Sequence, residues 1–419
     1  SNTLASYLTI LALQQLGSTP ILLNYRLSFS EISTQLKLAK AKLLLVDETL
    51  PLTWYPDPKL KITNLSLADL FLGPSRPVEL KPEFALADPA SIMFTSGTTG
   101  EPHGVVQTFG NHFYSAVGSA FNLGLVKHEL WLCALPLFHI SGLSIMIRSL
   151  VYGMGVYLLP HFSAAKVTEI LQKEPVTLMS VVPQMLQQLL KIFPTTGYNR
   201  NFRGFLLGGG PIDDQSLQRC QQLHLPVVQS YGMTETCSQV VALNFADAAK
   251  HLGSVGKPLF PMQLRINPKD SQIQLKGPNI ISAYLDDPTL FAKKLTPDGW
   301  FQTGDIGYLD QEGFLFVKGR QKEMIISGGE NIFPKEIENI YQNYPGIKEF
   351  AVIGIPDKKW GQVPCAFFAA DEKVDRLQLK KYGQKLLAHY KVPHYFYQIS
   401  RLPRTSSHKI SSYKLLQLY

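Results

Sequence analysis

Before Trp300, apolar residues arrive as short unbroken runs separated by longer stretches with helical spacing. Tyr7, Ile10, Leu11 and Leu16 share a helical stretch that closes at Gly17, and the run at 20–23 follows as a strand. Runs at 43–46, 91–94, 130–135, 155–159, 178–182 and 205–207 predict further strands, buried where no polar residue alternates with the apolar ones. Helical stretches at 164–173 and 184–193 lie among them. This alternation predicts an α/β body of layered sheets with helices between. After Trp300 the pattern changes to strands at 314–317 and 349–355 and helices at 335–341 and 378–389, which predicts a small α+β domain. The boundary is placed at 320–323, giving a large N-terminal domain over 1–319 and a small C-terminal domain over 320–419.

Composition narrows the class. A chain of 419 residues with 45% hydrophobic and only 17% charged residues can bury a large core in more than one domain, and it is no disordered tail. Cys133, Cys220, Cys237 and Cys365 are scattered without C-x-x-C spacing, which suggests neither a zinc site nor a disulfide framework and fits a reducing cytoplasm. The apolar stretch 143–160 is interrupted by Arg148 and by glycines, so no membrane span and no secretory signal are expected. Of the net charge of +8, the last quarter holds most: from Gln321 onward 15 Lys and Arg face 9 Asp and Glu, a balance of +6. Such a segment attracts polyanions or is simply a solvated basic face, and nucleic acid is disfavoured because no aromatic and basic platform accompanies it.

Candidate chemistry begins where the strand at 91–94 ends. Thr95, Ser96, Gly97, Thr98, Thr99 and Gly100 run on into Glu-Pro-His-Gly104. Glycines allow close approach of the main chain, and successive N–H groups can form a concavity for anions. The loop can wrap a polyphosphate, or it can be a plain surface turn. It is not a Walker loop, which needs lysine and then a hydroxyl residue after the second glycine; here Gly104 is followed by valines.

Further on, in order, come Gly208-Gly209-Gly210-Pro211, Tyr231-Gly-Met-Thr-Glu-Thr236, Thr303-Gly-Asp305, Gly319-Arg-Gln-Lys-Glu-Met324 and Pro403-Arg-Thr-Ser-Ser-His-Lys-Ile410. Together these motifs resemble the adenylate-forming superfamily of acyl-CoA synthetases, firefly luciferases and nonribosomal peptide synthetase adenylation domains, over essentially the whole chain. The resemblance implies two steps: a carboxylate attacks ATP to give an acyl-adenylate and pyrophosphate, and a thiol then captures the acyl group. The stretch 229–243 is most similar to the o-succinylbenzoate–CoA ligases of menaquinone and phylloquinone synthesis, with Ser238 and Gln239 as candidate lining of the acid pocket. Aryl, coumaroyl and fatty acids stay open as substrates, as do a carrier-loading adenylation domain and a silent ligand-binding protein.

Each motif residue then has an implied role and a plainer alternative. Thr95 to Gly100, the glycines at 208–210 and Tyr231 suit ATP, with the Tyr231 ring stacking on adenine or simply filling core. Thr234 and Glu235 are hard oxygen ligands for Mg²⁺ shared with phosphate, or a helix-capping pair. Asp305 can accept ribose hydroxyls or form an Asx-turn, and Arg320 can reach the nucleotide or make a surface ion pair. His139 matches the position between acyl pocket and phosphate site and is assigned positioning and gating, because the substrate acid is ionised near neutral pH and needs no base. Lys409 is expected to stabilise negative charge building between carboxylate and α-phosphate. A hinge at Lys322 would withdraw Lys409 and present Gly328 and Gly329 to the CoA pantetheine, unless that pair is only a hairpin turn.

Three features depart from the superfamily pattern. His103 stands where the phosphate loop usually carries lysine, so a permanent charge gives way to one mostly absent at neutral pH. His408 replaces the glycine before the catalytic lysine. The chain also opens on a helix and strand that family members reach after an opening segment.

Overall fold

Short, mostly apolar runs become the central strands of a seven-stranded sheet. Its order from one edge is Lys257–Pro258, Ser238–Ala242, Val227–Met233, Gly204–Leu207, Leu178–Val181, Leu130–Cys133 and Gly155–Leu158. The five strands from Val227–Met233 to Gly155–Leu158 are parallel, and the remaining two run antiparallel at one edge. Every residue of Leu178–Val181 and Gly204–Leu207 is buried, as strands covered on both faces must be. This computed structural model describes residues 2–47, 62–73, 76–96, 102–285, 287–404 and 410–419. Their contacts form two units, one of Ser1–Leu264, Leu275–Phe301 and Gln311–Leu315, the other of Arg265–Gln274, Gln302–Asp310 and Phe316–Tyr419.

In the first unit, crossover helices start where local chemistry allows. Ser163 caps Ala164–Lys173, proline opens Pro183–Lys191, and Asp213 caps Asp214–Gln222 while also accepting from Gln187 Nε2 at 2.8 Å. Their apolar faces supply Val167, Leu171, Leu186, Leu189 and Leu217 to a core shared with Leu132, Met179, Val181, Phe205 and Leu207. Each such side chain contributes about 2 kcal/mol on leaving water. A second sheet sets Ile21–Leu22 parallel to Pro89–Ser96, which pairs antiparallel with Pro102–Thr108. The strand expected over 130–135 stops at Cys133, because the Asn2 side chain takes over the next backbone groups: Asn2 Nδ2 donates to the Leu135 carbonyl at 2.7 Å and Leu137 N–H donates to Asn2 Oδ1 at 2.9 Å.

The second unit places Ile347–Asp357 antiparallel to Gly361–Ala370, with Tyr395–Gln398 parallel to the latter. The period-2 rule sends Phe350 and Val352 to one face, packed on Ile337, Tyr341 and Leu379, and Ala351, Ile353 and Ile355 to the other, packed on Leu402 and Leu415. The helix expected over 378–389 is Arg376–Leu386, moved toward the N-terminus by the Asp375 cap.

The edge reversal of the seven-stranded sheet is tight. A β-bulge falls at Tyr231 and Gly232, a 3₁₀ turn spans Thr234–Thr236, and Cys237 and Ser238 follow with φ of 53° and 99°. Any Cβ on Gly232 would lie 2.1 Å from the Ser238 carbonyl oxygen. Gly232→Ala is therefore expected to cost about 1–3 kcal/mol, a scale set by overpacked interiors, and to lower the melting temperature by several degrees. An unchanged melting curve would show that the two strands separate more easily than this contact implies.

Candidate active site

Several candidate residues of the first unit follow or end parallel strands of the seven-stranded sheet at their carboxyl ends, where open α/β sheets bind their ligands. Gly208, Gly209 and Gly210 follow the strand Gly204–Leu207; Gly208 N–H donates to the Val181 carbonyl at 3.1 Å, and Gly209 has φ of 81°. Tyr231 lies late in the adjacent strand Val227–Met233, whose Gln229 is the register partner of Leu207. Ser230 Oγ donates to the Leu207 carbonyl at 2.9 Å, tying the two strands where the glycines begin. His139 is the N-cap residue of the helix Ile140–Tyr152, with its ring 4.6 Å from that of Phe138.

Thr95 and Ser96 end the strand Pro89–Ser96 opposite His103 and Pro102. Gly97, Thr98, Thr99 and Gly100 lie outside the described residues, as do His408 and Lys409. The His103 ring is 5.7 Å from that of Tyr284.

Glu235 is held on one side only. Tyr284 OH donates to its Oε1 at 2.9 Å, Lys294 Nζ donates to the same tyrosine oxygen at 2.8 Å, and Lys294 Nζ stands 4.0 Å from that carboxylate oxygen. Tyr284 is buried, so the anchored oxygen faces the protein interior. Among the described residues Glu235 Oε2 has no such partner. No group of three or more His, Cys, Asp or Glu among the described residues makes a metal cage. One oriented carboxylate beside a threonine hydroxyl fits Mg²⁺, which keeps waters and takes substrate phosphates instead of a full protein shell.

Arg148 is the residue that the sequence reading passes over. It lies in the helix Ile140–Tyr152, 1% exposed, with its guanidinium 4.9 Å from the Trp131 ring centroid. Nη2 donates to Gln239 Oε1 at 2.6 Å and to Ser238 Oγ at 3.3 Å, while Nε has no hydrogen-bond partner. Burial lowers its pKa from the ordinary arginine value. Among the described residues no carboxylate pairs with it, although a buried charge without a counter-ion is costly. Ser238 and Gln239 are thus brought together around a cation. Its signal in the sequence was a lone charge inside an otherwise apolar stretch.

In the second unit Asp305 and Arg320 form an ion pair, Nε to Oδ1 at 3.1 Å, with the carboxylate nearly buried and the guanidinium half exposed. Asp305 N–H donates to Thr303 Oγ1 at 3.1 Å, and Thr303 Oγ1 donates to the Ile273 carbonyl at 2.8 Å, which fixes the turn at Gly304. Lys322 sits in the 3₁₀ turn Gln321–Glu323. Gly328 and Gly329, with φ of 58° and 88°, join Ile325–Ser327 to Glu330–Ile332 as a two-residue hairpin turn.

All four cysteines are buried free thiols; burial pushes Cys133, Cys220 and Cys365 up to about 12. No helix among the described residues is long and apolar enough to cross a membrane.

Comparison with known proteins agrees with this geometry. Residues 1–285 match the AMP-binding enzyme family and residues 336–409 its C-terminal domain. The 2-succinylbenzoate–CoA ligase of Listeria monocytogenes is 48% identical over 99% of this chain and 86% of its own length, and that of Enterococcus faecalis is 43% identical over the same shares. Among solved structures, the o-succinylbenzoate CoA synthetase (MenE) of Bacillus subtilis in complex with the acyl-adenylate intermediate OSB-AMP superposes with a TM-score of 0.92 at 40% identity, covering 98% of this chain and 85% of that one. The same synthetase with ATP and magnesium ion also gives 0.92, and ATP-bound MatB of Rhodopseudomonas palustris gives 0.89 at 25% identity over all of this chain and 87% of that one. The chain belongs to the AMP-binding, adenylate-forming enzymes and, within them, to the 2-succinylbenzoate–CoA ligases.

Proposed function

We propose that this chain joins o-succinylbenzoate to CoA at the expense of ATP, through an o-succinylbenzoyl-adenylate, as a cytoplasmic step of menaquinone or phylloquinone synthesis. The observation that carries this reading is Arg148. The acid has two carboxylates; one is activated and the other stays ionised, and a buried guanidinium lacking a protein carboxylate is its natural counter-ion. Ser238 and Gln239 orient that guanidinium through the contacts already described. A fatty acid has no second carboxylate and would leave the charge unpaired.

The first half-reaction uses the nucleotide residues. Thr95 to Gly100 wrap the phosphates, Gly208 to Gly210 and Tyr231 take the adenine, Asp305 accepts the ribose hydroxyls, and Arg320 reaches the same nucleotide. Thr234 and Glu235 hold Mg²⁺, which when bound neutralises phosphate charge. The substrate carboxylate attacks the α-phosphorus, and pyrophosphate leaves. Lys409 stabilises the charge that builds on the bridging oxygens, and His139 shapes the passage between acid and phosphate. In the second half-reaction a domain of residues 320–419 turns about Lys322, and the CoA thiol passes Gly328 and Gly329 to displace AMP.

ATP–pyrophosphate exchange with o-succinylbenzoate against a panel of aryl and fatty monocarboxylic acids tests the assignment. Exchange is expected with o-succinylbenzoate far above the others; equal exchange with a fatty acid would overturn it. Thioester formation with CoA, rather than only with a phosphopantetheinyl carrier, is the accompanying expectation.

Three substitutions sharpen the roles. Arg148→Ala is expected to lose about 3 kcal/mol of transition-state stabilisation, roughly a hundredfold in kcat/KM for o-succinylbenzoate, with KM for ATP nearly unchanged. A parallel rise in both KM values would show that Arg148 supports the fold instead. Lys409→Ala is expected to lose adenylation by about 3 kcal/mol yet still pass a supplied acyl-adenylate to CoA; equal loss of both half-reactions contradicts its role. Lys322→Pro should slow thioester formation more than adenylation, and equal slowing would remove the hinge.

A further inference from the structure

Behind the Thr234–Thr236 turn runs a chain of buried side chains whose proton order can be deduced from one end. The Thr234 carbonyl can only accept, so Gln107 presents Nε2 to it at 3.0 Å and Oε1 to Ser91 Oγ at 2.8 Å. The single hydroxyl proton of Ser91 goes to that Oε1. At its 2.9 Å contact with His112 Nε2, Ser91 Oγ must therefore accept, and Nε2 carries the ring proton. Burial keeps His112 neutral, its pKa pushed down to about 4, so Nδ1 is bare and accepts the S–H of Cys237 at 3.1 Å. Cys237 is joined through the backbone to Thr236, Glu235 and Thr234, where the chain began.

The result is a ring whose four side-chain hydrogen bonds all donate in the same sense, closed through the backbone of residues 234–237, where Cys237 N–H also donates to the Thr234 carbonyl at 3.2 Å; bonds in such a chain polarise and strengthen one another. Ser91, Gln107 and Cys237 are fully buried and His112 is 3% exposed, so water does not compete. The backbone that the ring encloses needs holding. Cys237 and Ser238 both have positive φ, a conformation that non-glycine residues keep only where surrounding contacts enforce it. Ser115 Oγ adds a further bond to the Cys237 carbonyl at 2.6 Å.

We propose that Ser91, Gln107, His112 and Cys237 are positioning residues for the magnesium–ATP site, their ring clamping both ends of the turn that aims the Thr234 hydroxyl and the Glu235 carboxylate. This rests on the reading of Thr234 and Glu235 as ligands of Mg²⁺ and nucleotide. The four side chains bond to one another and to the Thr234 carbonyl, so they act through the turn. Ser91 belongs to the strand that ends in Thr95 and Ser96, so the ring also ties the start of the phosphate loop to the metal-binding turn.

Two measurements test the ring. In ¹⁵N spectra of histidine-labelled wild-type protein, His112 is expected to show the neutral tautomer protonated at Nε2, without titrating between about pH 5.5 and pH 9. A proton on Nδ1, or an imidazolium in that range, overturns the deduced order whatever reaction the enzyme performs. Calorimetric binding of Mg·ATP, well below each protein's melting temperature, is expected to weaken about tenfold in Ser91→Ala and in Cys237→Ala, each of which opens the ring. The double variant should be no weaker than either single one, because an open ring cannot be opened twice. Cys237→Ser keeps a donor at Nδ1 and should recover most of the affinity. Unchanged affinity in both alanine variants, or additive losses, would overturn the positioning role. Wild-type protein that binds Mg·ATP but does not adenylate o-succinylbenzoate would overturn the proposed substrate alone, and both ring measurements would still decide the ring.

Discussion

One reversal of the backbone, residues 232–238, sits between two kinds of chemistry. Before it, Tyr231 lies late in the strand Val227–Met233, beyond the parallel pairing that reaches Gln229; within it, Thr234 and Glu235 carry side-chain oxygens; at its end, Ser238 and the next residue, Gln239, hold a buried guanidinium. The reversal is tight because Gly232 has no side chain, so its backbone can approach Ser238. Two residues with positive φ then turn the chain back into an antiparallel strand. In the proposed roles, a shift of this turn would move the nucleotide residues and the acid residues together and so couple recognition of the acid to placement of the phosphate.

Among the described residues of the first unit two charges differ in kind: Glu235 is anchored by the fold, and Arg148 has no carboxylate beside it. Glu235 is tied through Tyr284 to Lys294, so its anchored oxygen is neutralised by the protein while the carboxylate keeps a second oxygen. Among the described residues Arg148 has dipoles from Gln239 and Ser238 and the face of Trp131, but no carboxylate. Dipoles and a ring quadrupole offset only part of what a guanidinium loses on leaving water. A fold that leaves one cation in that state leaves an attraction for a complementary anion of matching shape.

Much of this was legible in the sequence, for reasons that differ by residue. Leu178–Val181 and Gly204–Leu207 appear as apolar runs because both faces are buried, and Ala164–Lys173 appears as a helix because only one face is. The helix Ile140–Tyr152 left no clear period, since Gly142 to Arg148 are all buried. Motif order marked Tyr231, Thr234, Glu235, Asp305 and Arg320 without showing that Asp305 and Arg320 form an ion pair. Arg148 and His112 were hidden because their partners, Gln239 and Cys237, are far away in sequence. Neither carries a local spacing signal, so only folding brings the guanidinium to Gln239 or the imidazole to Cys237.

The central claim is that Arg148 pairs with the substrate carboxylate that is not activated. The most direct measurement is a crystal structure of this protein with a non-hydrolysable o-succinylbenzoyl-adenylate analogue. The carboxylate not joined to AMP is predicted to lie within about 4 Å of the Arg148 guanidinium, the range of an ion pair. A carboxylate turned to solvent, with Arg148 still bonded only to Ser238 and Gln239, would contradict the account.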